Sequence, residues 1–245
     1  MGMEGLTADD RIILIRVKIE RAKKHLRNLE SDLVEYGKQY FHASTSYRDP
    51  HTGETILNPL KKWRKLPFDA LAAAGDVIQN LRSALDYLAQ QLVWAGSGSE
   101  PSRLVQFPIA KDVGTYERDK ATRVEGMCPK AIKAIDAFKP YKGGNEHLWK
   151  IHELNNIDKH RLLFTYAQDC FLTAEWLDDP FPFNLKAADP LFAGAFDSEV
   201  EKDMEFEIDK ALGESQIAEG DALLPTLHQL VNFVDSLVLS FKPFL

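Results

Sequence analysis

The stretch GDVIQNLRSALDYLAQQL, residues 75–92, combines a helical apolar repeat with several polar side chains. Its apolar residues recur every three or four positions, which predicts an amphipathic helix over residues 69–94. Polar groups beside a buried stripe cost free energy unless they find partners. The stretch therefore predicts a core helix with a polar site on its flank. The predicted buried stripe consists of Ile78, Leu81, Leu85, Leu88 and Leu92.

The polar flank of this helix centres on Arg82 and Asp86, with Asn80 nearby. Arg82 borders the apolar stripe, so we expect its aliphatic stem to be covered. Arg82 and Asp86 can pair directly, but arginine before the acid is the weaker order for supporting a helix. Simple helix support is therefore a poor explanation of the pair.

A second stretch, LWKIHELNNIDKHRLL at residues 148–163, predicts another helix over residues 146–158. Its apolar stripe is interrupted by Asn155 and Asp158, at helical spacing. A buried aspartate must be paired or protonated. We therefore expect Asp158 or Asn155 to contact Arg82 across a helix crossing.

Two interpretations of this polar crossing stay open. In the first, it is an ion pair that fixes the register of two helices. In the second, Arg82, Asp86, Asn155, Asp158 and His160 line a cleft. His160 could then act as a general acid or base, and Arg82 or Arg161 could hold a phosphate with two hydrogen bonds.

The remaining patterns predict one α+β domain spanning residues 1–245. A first helix, capped by Thr7 and ending near Gly37, carries a seam of coiled-coil type. A β-hairpin follows, with Asp49, Pro50 and Gly53 in its turn. LVQFPI (104–109) and several runs after Leu162 have the composition of strands, and a last helix covers residues 224–241. We expect the long helices to form a bundle, with an antiparallel sheet packed beside it. The seam consists of Ile12, Ile15, Ile19, Ala22, Leu26, Leu29, Leu33, Tyr36 and Tyr40.

Composition indicates a soluble globular protein, with 44% hydrophobic and 27% charged residues. Cys128 and Cys170 form neither a disulfide framework nor a zinc motif, which favours a reducing cytoplasm. No run of about 18 apolar residues predicts a membrane span. We expect neither a metal nor a cofactor, because the histidines do not have the HExxH spacing and no phosphate-binding glycine motif is present.

Charge is distributed unevenly along the chain, whose net charge is −7. Residues 1–65 hold 13 basic and 9 acidic side chains, whereas residues 166–245 hold 4 and 16. The acidic end argues against nucleic-acid binding over the whole surface, but a basic N-terminal surface stays open. The residues concerned are Arg16, Lys23, Lys24, Lys61, Lys62 and Arg64.

The seam of the first helix also bears on oligomeric state. A long regular seam can pair between chains, and Tyr36 and Tyr40 suit an interface. The pattern favours a homodimer slightly over a monomer.

At GD-x-x-x-NLRSALD-x-L and IDKHR the chain resembles a set of bacterial proteins of unassigned activity. The likeness covers residues 75–88 and 157–161, and loosely the hairpin and Gln106–Phe107–Pro108–Ile109. It implies family membership without an activity.

A second resemblance is to HEPN-type helical domains, many of which are metal-independent ribonucleases with an Arg-x4–6-His motif. Here Asn155 stands where the arginine is expected, with four residues between it and His160. The resemblance implies catalysis by His160, and Arg82 would have to supply the missing guanidinium from the neighbouring helix. The polar crossing adds Asp158 as a third hypothetical catalytic residue.

The sequence thus leaves three hypotheses about function. The first is a module that binds a small ligand or a protein partner through the polar crossing, with Asp86, Asn155, Arg161 and Asn80 as binding residues. The second is a HEPN-like ribonuclease. The third is a nucleic-acid-binding protein that uses the basic N-terminal surface.

Overall fold

The computed structural model describes residues 5–42, 45–48, 55–58, 68–159, 170–176, 204–210 and 223–245. A 3₁₀ turn, Lys242–Phe244, ends the chain. Six α helices are present in this part of the chain: α1 (Ala8–His42), α2 (Phe68–Ser97), α3 (Val113–Arg123), α4 (Pro129–Ala137), α5 (Glu146–Asp158) and α6 (Leu223–Ser240).

The strands form two separate antiparallel pairs. In the first pair, β1 (Thr45–Arg48) runs beside β2 (Thr55–Asn58), with Thr45 opposite Asn58. In the second pair, β3 (Cys170–Trp176) runs beside β4 (Met204–Lys210), with Cys170 opposite Lys210.

The chain divides into two compact units. One comprises Met1–Leu26, Ala74–Leu163 and Pro225–Leu245, and the other comprises Arg27–Ala73 and Phe164–Leu224. The expectation of a single domain over residues 1–245 stays a prediction. The first unit contains both of the sequence stretches discussed above, residues 75–92 and 148–163.

Helices supply the core of the first unit. The predicted stripe of α2 is fully buried, because each of its five members is 0% exposed. Ile12, Ile15 and Ile19 of α1 are also buried. Burial on this scale stabilises by about 1.5–3 kcal/mol for each large side chain. The heptad-like and helical repeats therefore located the core correctly.

Polar contacts tie α1 to its neighbours in the same unit. Arg11 Nη1 donates to Gln91 Oε1 at 2.7 Å in a buried position. Asp235 of α6 accepts from Arg16 Nε at 3.0 Å and from Lys23 Nζ at 2.8 Å. These bonds join α1 to α2 through Gln91 and to α6 through Asp235.

The predicted α+β class is wrong, because the part of the chain that the structure describes is helical. Within the described residues of the first unit there is no strand, only an isolated bridge between Ala110 and Tyr141. The helices bury their apolar stripes without a sheet. β3 and β4 follow the strand-like composition after Leu162, but they make a ladder only two strands wide, and such a ladder is marginal as an independent layer.

Two local expectations also fail. LVQFPI is not a strand, because side chains of α2 bond the backbone of Phe107 in place of a neighbouring strand. Helix α1 continues past Gly37 to His42, since one glycine costs a long helix only about 1 kcal/mol.

The homodimer seam of α1 is already used within the chain. Its members from Ile12 to Leu33 are at most 5% exposed in the single chain. A second copy therefore has no access to this part of the seam. The side chains of Tyr36 and Tyr40 lie outside the described residues.

No helix in the described ranges is both long and apolar enough to cross a membrane.

Candidate functional site

Arg82 and Asp86 of α2 hold the backbone of Phe107, in a group of contacts that we name the Arg82 clamp. Arg82 Nη2 donates to Asp86 Oδ1 at 2.9 Å and to the Phe107 carbonyl oxygen at 2.9 Å. The Phe107 N–H donates to the same Asp86 oxygen at 3.1 Å. The i,i+4 pair thus docks a loop onto the helix, which explains the order of arginine before the acid.

Burial of the clamp shifts the pKa values of both its charged side chains. The Arg82 side chain is only 8% exposed, and the Asp86 side chain is 29% exposed. Burial lowers the pKa of Arg82, and the negative charge of Asp86 opposes that shift. Burial likewise raises the pKa of Asp86, against the nearby positive charge of Arg82. Asp86 therefore depends on Arg82 to remain ionised in this position, and the carboxylate compensates the permanent charge of Arg82.

Clamping Phe107 has a consequence for packing. The Phe107 ring is 0% exposed and meets Phe241 edge to face, with 6.4 Å between ring centroids. Such a pair adds about 0.5–1.5 kcal/mol beyond the burial of its area. The clamp therefore seats a core aromatic residue as well as a loop.

A small cavity of about 160 Å³ lies beside the clamp, and we name it the α3–α5 pocket. Its wall comes from the loop that the clamp fixes, from α3 and from α5. A space of this size suits a small ligand or a few water molecules. The lining residues are Gln106, Pro108, Ile109, Ala110, Thr115, Tyr116, Asp119, Lys120, Arg123 and His152.

His152 of α5 lines this pocket, and its surroundings strongly lower its pKa. Burial, together with the positive charges of Arg82, Lys159 and Arg123, lowers its pKa to about 4. Its Nδ1 atom is buried and has no hydrogen-bond partner among the described residues. The imidazole is therefore neutral near pH 7.

We expect His152 to make stability fall on acidification. Between the usual histidine pKa of about 6.5 and the folded value of about 4, the unfolded chain binds more protons than the folded chain. The contribution of neutral His152 to the free energy of unfolding is thus fully present above about pH 6.5 and is lost as the pH falls toward 4. Urea midpoints at about pH 7 and about pH 5 should differ less in His152→Gln than in wild type.

His147→Gln, on the same helix, is the matched control for loss of an imidazole, and its acid sensitivity is compared with that of His152→Gln. The His147 ring is stacked on Phe233, 4.9 Å away between centroids, and it does not line the pocket. If His152→Gln keeps the whole acid sensitivity of wild type, the burial of a neutral His152 is not its source.

Arg123 of α3 contacts the loop that carries Leu104 and Gln106. With the Gln106 amide oriented to accept, its oxygen lies 3.0 Å from Arg123 Nε. Arg123 Nη1 also lies 3.4 Å from the Leu104 carbonyl oxygen. These acceptors are neutral, and no ion pair of Arg123 within 4 Å is found in the described part of the chain.

A second polar group, on α3 and α4, completes the wall. The Tyr116 hydroxyl donates to Asp136 Oδ1 at 2.7 Å, and Lys120 Nζ lies 3.0 Å from the same oxygen. Burial and the bond to Asp136 raise the pKa of Tyr116, so its hydroxyl keeps its proton. Lys120 also lies over the Tyr116 ring, 5.1 Å from the centroid.

The structure separates the residues that the sequence grouped. Arg82 and Asp86 pair as predicted, but Asp158 lies against Gly75 rather than against Arg82. Burial and the charge of Asp76 raise the pKa of Asp158. The expected contact between Arg82 and Asp158 is therefore replaced by close packing at the α2 backbone.

The other predicted site residues have varied positions. Asn155 is buried, 4% exposed, as the apolar stripe predicted. The Asn80 amide donates to the Asp76 carbonyl oxygen at 2.8 Å in an exposed position, and Asn80 does not line the pocket. His160 and Arg161 lie outside the described residues. The ribonuclease roles assigned to His160, Asp158 and Arg82 therefore stay predictions.

Part of the basic N-terminal surface is committed to contacts within the protein. Arg16 and Lys23 both bond Asp235, and Lys23 also lies 3.0 Å from Glu20. Lys24 is exposed. Two of the three helix residues proposed to bind nucleic acid thus have acidic partners. The other proposed residues, Lys61, Lys62 and Arg64, lie outside the described ranges.

Sequence reasoning missed most of the pocket, because His152, Arg123, Lys120 and Tyr116 carry no recognised motif that could have marked them. Among the described residues, no group of three His, Cys, Asp or Glu side chains is arranged to hold a metal.

Comparison of the chain with protein-family models, with curated proteins and with solved structures finds no match.

Proposed function

We propose that this protein is a binding module that holds a small polar ligand in the α3–α5 pocket. The observation that carries the proposal is the concave wall itself, in which α3 and α5 bring Arg123, Lys120 and His152 together with the loop at residues 106–110. Concave sites with a few converging polar groups are where small ligands usually bind.

The surroundings of the pocket also favour binding over catalysis. Arg82 is engaged by Asp86 and by the Phe107 carbonyl group, so two hydrogen bonds fix its guanidinium in the clamp. Tyr116 is bonded to Asp136 and its pKa is raised, which makes it a poor proton acceptor near pH 7. The groups are held rigidly, and rigid polar groups suit recognition.

The proposal predicts that filling the pocket abolishes ligand binding. The test is a thermal-shift screen with a library of small charged and uncharged polar compounds, followed by titration calorimetry of those that stabilise the protein. Ile109→Trp introduces a larger ring at the pocket wall, and we expect it to weaken binding at least about tenfold, since the occupied space is lost.

Leu104→Trp is the matched control, because Leu104 is on the same loop, 56% exposed, and outside the pocket lining. It should bind like wild type. If no compound stabilises the wild type, or if Ile109→Trp binds as well as Leu104→Trp, the proposed function is wrong. Circular dichroism of both variants separates loss of binding from loss of fold.

A further inference from the structure

We propose that the ligand of the α3–α5 pocket is a small anion with a carboxylate or phosphoryl group, bound by Arg123 and Lys120 of the pocket wall. This inference rests on the proposed function and names its ligand class. Guanidinium and ammonium groups are the side chains that recognise such anions best.

Positive charge converges on one side of the pocket. Three cations, Arg82, Lys159 and Arg123, act together on His152. Lys120 stands on α3 in the same lining as Arg123. A concave wall with several cations raises the local concentration of anions and stabilises them when bound.

The acids around the pocket already have cationic or hydrogen-bonding partners. Asp119 accepts from Arg118 Nε at 2.7 Å and from Arg118 Nη2 at 3.1 Å. Asp136 accepts from Tyr116 and Lys120. Asp86 accepts from Arg82 and from the N–H of Phe107. Their charges are therefore partly compensated within the protein. The charge of Arg123 acts on Asp119 and Asp86, although its hydrogen bonds among the described residues go to neutral oxygens.

The size of the cavity restricts the anion. About 160 Å³ has room for inorganic phosphate or a short dicarboxylate but not for a nucleotide in full. Succinate and its uncharged isostere succinamide are therefore a matched pair of probes, and inorganic phosphate is the third. The pair separates recognition of charge from recognition of shape, and phosphate separates phosphoryl from carboxylate chemistry.

The test is titration calorimetry of the full chain with the three probes at constant ionic strength, because salt screens exposed charges. We expect succinate or phosphate to bind, and succinamide to bind at least about tenfold more weakly. Arg123→Gln should weaken the bound anion by a similar factor. Arg103→Gln is the control, since Arg103 is exposed on the same loop and outside the lining.

Different failures have different meanings. If succinamide, or only uncharged compounds of the wider screen, bind in an Ile109-dependent manner, the pocket is a binding site but the anion inference is overturned. If anions bind equally to wild type and Arg123→Gln, the assigned cation is wrong and the inference is overturned. If no compound of either class binds, the proposed function fails together with it.

Discussion

Asp86→Ala is expected to lower the free energy of unfolding by about 3 kcal/mol, the largest effect of any single substitution considered. Removal of one partner of a buried pair leaves the other charge without compensation, at a cost of roughly 3–5 kcal/mol. The lower end of that range applies because the Asp86 side chain is 29% exposed. The variant also removes the acceptor of the Phe107 N–H. Urea unfolding measures the loss.

A double variant tests whether the loss comes from the stranded charge. In Arg82→Met/Asp86→Ala both charges are absent, so we expect it to be more stable than Asp86→Ala alone, although the Phe107 backbone stays without its side-chain partners. Glu117→Ala removes an exposed partner of Lys120 and should change stability by less than about 1 kcal/mol. An Asp86→Ala loss no larger than that of Glu117→Ala would show that the clamp contributes little.

Gly75→Ala is expected to destabilise the protein by about 1–2 kcal/mol, although alanine is the better helix former by about 1 kcal/mol. A β-carbon at Gly75 would lie 2.7 Å from Asp158 Cγ and 2.8 Å from Asp158 Oδ2. The Asp158 carboxyl group, or the end of α5 that carries it, would have to move. Chemical denaturation of the two proteins gives the difference.

The rescue experiment assigns the cause of that loss. Asp158→Ala removes the obstructing carboxyl group, so Gly75→Ala/Asp158→Ala should be more stable than Gly75→Ala. Gly96→Ala is the control, because a β-carbon there would lie 2.7 Å from the backbone nitrogen of Cys128 and 2.9 Å from the Gly126 carbonyl oxygen. Asp158→Ala should not rescue it. A Gly75→Ala protein more stable than wild type would mean that Asp158 moves aside at little cost.

These two sites explain why the glycine and the aspartates stand in the two sequence stretches. Gly75 permits the close approach of Asp158, and Asp86 holds the loop that carries Gln106 and Phe107. Sequence reasoning predicted that the two helices meet through polar residues. It chose the wrong contact, because a charge pattern shows which side chains need partners but not which partners the tertiary fold brings within reach.

The sequence by itself determined the four long helices, α1, α2, α5 and α6, and many of the residues in their core. The helical repeat placed Ile78, Leu81 and Leu85 in the interior, and it gave the bounds of α5 correctly. Such repeats are local, since side chains three or four positions apart share a face whatever surrounds the helix. It also predicted the Arg82–Asp86 pair, whose spacing is within one helix.

Only the tertiary structure decided the site and the fold class. The α3–α5 pocket joins Gln106, Arg123 and His152, which are far apart in sequence and share no local pattern. Strand-like alternation suggested a sheet beside the bundle, yet the helices of the first unit bury their own apolar faces, and no strand occurs among the residues of that unit that the structure describes. Long-range packing chooses among local preferences because burial of whole faces outweighs the small propensity of each residue.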